Sequence, residues 1–128
     1  MCQHSKTSKM MRLKKPITVW KFGHERSSMR MATAYQNHIY VKDEFQTIPI
    51  EDIRYSRISE TIVEFSTGFH AFTNKRQAME YKKRNWGTLF EFEIPEGSFV
   101  NRGQWDCDKM QNTIVTNQIK MIGRVKTI

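Results

Sequence analysis

The stretch "STGFHAFTNKRQAMEYKKRNWGTLFEFEIPEGSFV", residues 66–100, sets one helix pattern between two strand patterns. Asn74 is a strong N-cap residue and Gln77 sits three positions later, the spacing of a capping box. Ala78 and Tyr81 fall on one helical face. Gly87 stands where a helix commonly stops. The spacing predicts a helix over Lys75–Asn85. In "TLFEFEI", Phe90, Phe92 and Ile94 point one way, with Leu89, Glu91 and Glu93 opposite, the period of a half-buried strand. Pro95-Glu96-Gly97 is a turn. Ahead of the helix, "FHAF" reads as a short strand entered through Gly68. Phe69 and Phe72 are an odd number of residues apart, so they cannot share a sheet face. One is expected in the core and the other against a cleft or the helix.

Working outward, Pro16 opens a strand, "ITVWKF" (Ile17–Phe22), rich in β-branched and aromatic residues and ended by Gly23. Residues 24–38 are ambiguous. "HIYV" (His38–Val41) and "TIVEF" (Thr61–Phe65) read as strands, and Ile50–Ile53 as a helical turn. Asn101–Asn112 is polar and reads as a loop, and "TIVTNQIKMIGRV" as one or two closing strands. Residues 1–15 read as a flexible basic leader, and 16–128 as one globular domain. The fold class expected is α+β, an antiparallel-rich sheet with one or two helices.

The 128 residues carry a formal charge of +8 and a pI near 9.7. A basic surface of this size favours phosphate-bearing partners. The charge falls in blocks: residues 1–24 hold no acid, and lysines and arginines return at 75–84 and 120–126. The two cysteines, Cys2 and Cys107, and four scattered histidines match no zinc spacing. Two free thiols fit a reducing, cytoplasmic setting. The N-terminal basic residues lead into no apolar run of a signal peptide, and no window approaches membrane-spanning length.

Two resemblances add to this. "VWK" (Val19–Lys21), "GFHAF" (Gly68–Phe72) and "IPEGS" (Ile94–Ser98), with Cys2 after the initiator Met, resemble the layout of a group of small phage and bacterial proteins. The order "GFHAFTNKRQAMEY" (Gly68–Tyr81) followed by "TLFEFEIP" (Thr88–Pro95) resembles the ADP-ribosyltransferase fold. That likeness implies an NAD-derived or other nucleotide ligand as the only cofactor-like molecule. It puts Lys21, with His24 just beyond, where the family uses Arg or His, and Ser66-Thr67 near its Ser-Thr-Ser segment. It puts Asn117-Gln118 where the family's catalytic Glu stands. An amide can hydrogen-bond a ribose but supplies no negative charge to a developing oxocarbenium ion. The resemblance thus implies binding without catalysis, as in a phage protein sequestering a host immune signal in the host cytosol.

The ligand-binding candidates are Lys21, His24, Ser66, Thr67, His70, Phe72 and Gln118. Lys21 can meet a phosphate as a point charge, or be a solvated edge residue. Phe72 can stack on a base, or pack in the core. His70 can face a ribose or phosphate, or be structural. The Ser66 and Thr67 hydroxyls can donate to a phosphate, or hold the turn before Gly68. No catalytic residue is assigned. An active ADP-ribosyltransferase using Glu91, Glu93 or Glu96 is the second hypothesis. A basic protein- or nucleic-acid-binding module is the third, disfavoured for single strands because Lys and Arg are not interleaved with aromatics. A homo-oligomer is compatible with all three, and no membrane partner is expected.

Overall fold

The structure is a computed structural model that describes residues 3–33, 38–84, 87–105 and 111–125. In chain order the strands are β1 (Gln3–Ser5), β2 (Met11–Arg12), β3 (Ile17–Ser27), β4 (Arg30–Thr33), β5 (Ile39–Val41) and β6 (Phe45–Thr47). A 3-10 turn at Ile50–Asp52 leads to β7 (Tyr55–Arg57), β8 (Val63–Phe65) and β9 (Phe69–Phe72). Helix α1 (Lys75–Arg84) is followed by β10 (Thr88–Ile94), β11 (Phe99–Trp105), β12 (Gln111–Thr116) and β13 (Gln118–Arg124). All strand pairings are antiparallel, in the order β6-β13-β10-β3-β9-β12-β11-β1-β8-β7, with β2 on β11 and β4 bridging β3 and β5. The architecture is thus mostly antiparallel sheet with one short helix among the described residues.

Phe90, Phe92 and Ile94 are buried, and with Val19, Ile114, Ile119 and Met121 they form the main core. Complete burial of a Phe or Ile side chain stabilises by roughly 1.5–3 kcal/mol. Leu89, on the opposite face of β10, is buried too, because α1 covers that end. All four residues of β9 are buried, so both of its faces are covered. Phe69 and Ala71 join the main core, whereas Phe72 packs with Ala78 of α1 and Leu89. The odd spacing of the two phenylalanines therefore sends one to the sheet core and the other beneath the helix.

Helix α1 begins as its sequence dictates: the Gln77 N–H donates to Asn74 Oδ1 at 3.0 Å. The reciprocal arm of the capping box is absent. Gln77 Oε1 instead accepts the Asn112 N–H at 2.6 Å, tying the helix to β12. Asn85, the last residue of the expected helix, lies outside the described residues.

Two expectations are corrected. The N-terminal leader is a working part of the sheet: β1 lies between β8 and β11, and β2 lies on β11. Gln3 is fully buried; its Nε2 donates to the Asn101 backbone oxygen and to Asn101 Oδ1, each at 2.8 Å, and its Oε1 accepts from Thr113 Oγ1 at 2.9 Å. Gly103 makes this approach feasible, since a Cβ there would lie 2.3 Å from the His4 carbonyl oxygen. The polar Asn101–Asn112 segment is the second. Its two ends are strand: β11 and β12 pair from Val100↔Thr116 to Trp105↔Gln111, and residues 106–110 lie outside the described ones. Hydrogen bonding between polar side chains does there what apolar alternation does elsewhere.

Candidate ligand-binding cavity

Strand β3 sets up the site. Val19, Lys21 and Gly23 alternate on its buried face, so an ammonium stands where the strand's period calls for an apolar side chain. Lys21 Nζ donates to the His70 carbonyl oxygen and lies 5.5 Å from the centre of the Tyr40 ring. Burial holds its pKa down, from 10.5 to about 8. Among the described residues no carboxylate pairs with it.

Lys21 lines a cavity of about 290 Å3. Trp20 and Phe22 of β3, Tyr40 of β5, Phe69 and Phe72 of β9, Tyr81 of α1 and Trp105 of β11 supply its aromatic walls. These rings brace one another. Tyr81 and Trp105 have centroids 4.7 Å apart, Phe72 lies 5.5 Å from Tyr81, and Phe22 meets Tyr81 edge-on at 5.6 Å. The indole N–H groups of Trp20 and Trp105 are buried without an acceptor among the described residues. No Asp or Glu lines the cavity among them either.

His70 is buried at the same cavity, one residue along β9 from Phe69. Its Nδ1 is 3.1 Å from the Gly68 carbonyl oxygen and its Nε2 is 3.4 Å from that of Phe65. A neutral imidazole has one N–H, and the shorter contact assigns it to Nδ1. Burial, then the nearby Lys21 charge, pushes its pKa from 6.5 down to about 4, against the two carbonyl contacts that favour the charged form. At neutral pH the ring is therefore uncharged. Its nitrogens face backbone, and its own carbonyl holds Lys21. Gly68, at φ +97, makes the tight entry to β9 that this arrangement needs.

No family model, curated protein or solved structure matches this chain. Its site is therefore read from geometry alone.

Of the seven sequence candidates, Lys21, Ser66, Thr67, His70 and Phe72 line the one cavity. The hydroxyls of the Ser66-Thr67 pair are engaged with the chain: Thr67 Oγ1 donates to the Asp52 carbonyl oxygen and accepts the Arg54 N–H, both at 2.6 Å, and Ser66 Oγ is 3.5 Å from the Arg54 carbonyl oxygen. His24 and Gln118 stand elsewhere. His24 is exposed opposite Ala32 in β4, and Gln118 is half-buried opposite Thr47 in β6. Asn117 serves the fold, its Oδ1 accepting the Phe99 N–H at 2.9 Å. Glu91, Glu93 and Glu96 do not line the cavity, and Glu93 pairs with Lys120 at 3.8 Å.

Sequence reasoning missed Trp20, Tyr40, Tyr81 and Trp105 as walls. Tyr81 carried a signal in its shared helical face with Ala78. Trp105 carried none, because it sits in the polar stretch read as loop.

Proposed function

We propose that the protein binds a small nucleotide-derived ligand in this cavity without turning it over. The observation that carries the reading is Lys21, a buried ammonium with no carboxylate partner among the described residues, set among aromatic side chains. Such a site offers a stacking surface for a base and one cation for a phosphate. The cavity is at the low end of the roughly 300–1,000 Å3 typical of ligand pockets. It therefore takes a mononucleotide-sized group of an NAD-derived molecule and leaves the remainder outside. Tight, non-catalytic burial is what sequestration of a nucleotide signal by a phage protein requires.

Calorimetry with AMP and ADP-ribose tests the reading. Lys21→Met should weaken binding by about 10- to 150-fold, the loss of one hydrogen bond to a charged group at roughly 1.5–3 kcal/mol. NAD incubated with the protein should release no nicotinamide. Steady release abolished by Glu93→Gln would replace the binder with a transferase.

A further inference from the structure

The charges around the cavity are unusually few for so basic a chain. Among the described lining residues Lys21 is the one Lys or Arg, and none is acidic. His70 is neutral, its nitrogens directed at the Gly68 and Phe65 carbonyls. His38 lines the cavity from an exposed position, its Nε2 against Gln46 Oε1. The indole N–H groups of Trp20 and Trp105, on two of the lining residues, are neutral and buried without an acceptor among the described residues.

We propose, building on the nucleotide reading above, that the cavity selects a ligand with one negative charge beside a planar ring, a phosphodiester or a carboxylate, over one with two. A monoanion against Lys21 makes a neutral pair. Its other oxygen lone pairs then need only neutral donors or water. A phosphomonoester, with a second pKa near 6, brings about two charges at neutral pH. The second charge would enter an aromatic-walled space with no second Lys or Arg among the described lining residues, where an unpaired ion is disfavoured. The chain's net charge of +8 does not reverse this. Exposed charges are largely screened beyond about 8–10 Å at ordinary ionic strength, so they speed the approach of any anion and leave the choice to the contacts inside. The shared chemistry of the two ligand types is a singly charged, two-oxygen acceptor on an aromatic body.

The test is calorimetry at pH 7.5 with four probes: 3′,5′-cyclic AMP, AMP, adenosine and indole-3-acetate. At least one of the two monoanions should bind 10-fold or more tightly than both AMP and adenosine. That preference should vanish in Lys21→Met and in Lys21→Gln, whose folding is checked by thermal melts. Cyclic AMP ahead identifies the phosphodiester, and indole-3-acetate ahead the carboxylate. Indole-3-acetate binding with no nucleotide binding upholds the charge selection and removes the nucleotide reading. AMP or adenosine binding as tightly as the tighter of the two monoanions keeps the nucleotide reading and overturns the charge selection. Preference retained in both variants overturns the role of Lys21, and no binding of any probe overturns both proposals.

Discussion

Two groups of buried polar side chains, one around β1 and one around β3, are treated in opposite ways. Around β1, Gln3, Ser5, Asn101 and Thr113 answer one another. Asn101 Oδ1 accepts from Gln3 Nε2 at 2.8 Å and from Ser5 Oγ at 2.6 Å, while its Nδ2 donates to the carbonyl oxygens of Thr7 and Lys9 at 2.8 and 2.9 Å. Every partner comes from the chain itself. Around β3, Lys21 has a carbonyl and a ring face but no anion, and two indole N–H groups nearby have no acceptor among the described residues. A reciprocated polar cluster holds a fold together, whereas an unreciprocated one costs stability.

The strongest way to break this contrast is Asn101→Ala. It would leave the Gln3 and Ser5 side chains short of a partner and detach the Thr7 and Lys9 carbonyls together. Each buried orphan costs about 1–3 kcal/mol, so a loss of about 3–5 kcal/mol in urea unfolding is expected. An unchanged midpoint would mean that the leader strand contributes nothing.

Acid sharpens the other half. Between pH 6.5 and about 4 the unfolded chain protonates His70 while the folded ring stays neutral. Stability should therefore fall as pH drops through that window, by on the order of 3 kcal/mol when complete. Lys21 acts in alkali. From about pH 8 to 10 the folded amine gives up a proton that the unfolded chain keeps, so stability should rise with pH. Near pH 10 the buried Tyr40 phenol, whose pKa burial raises, begins to oppose further gain. Urea midpoints across this range check both limbs, and a flat profile would place water around both groups.

Lys21→Met should stabilise the ligand-free protein at pH 7 by about 1–3 kcal/mol, because an unpaired buried charge gives way to a side chain of similar length. The same variant should lose the alkaline limb. A drop in melting temperature would show that the bond to the His70 carbonyl outweighs desolvation. The smallest effect is Asn74→Ala, which removes an exposed cap and should cost about 1 kcal/mol by the same measurement. A cost comparable to that of Asn101→Ala would erase the distinction between solvated and buried hydrogen bonds.

These regions also differ in how legible they were. Strand β10, the start of α1 and the first half of β3 could be read from apolar period and capping chemistry, because their stabilising partners are local or repeat at a fixed spacing. β1 and β11 could not. Gln3 and Asn101 look like loop residues until their mutual hydrogen bonds, 98 positions apart, are known. Five of the seven candidate residues converge on the cavity because Lys21 interrupts a buried alternation and Ser66–Phe72 forms one short segment. His24 and Gln118 were placed by resemblance to a family order, and strand register puts both elsewhere.

The seating of β1 also governs the order of assembly. Gln3 and Ser5 are synthesised far ahead of Asn101 and Thr113, with 98 residues separating Gln3 from Asn101 and 110 separating it from Thr113. Until β11 and β12 exist, the polar side chains of β1 have no counterpart and β1 has only β8 beside it. Closing so long a loop delays the reward of pairing, which slows folding. Contacts between β1 and β11 therefore belong to the long-range, late-forming part of the sheet.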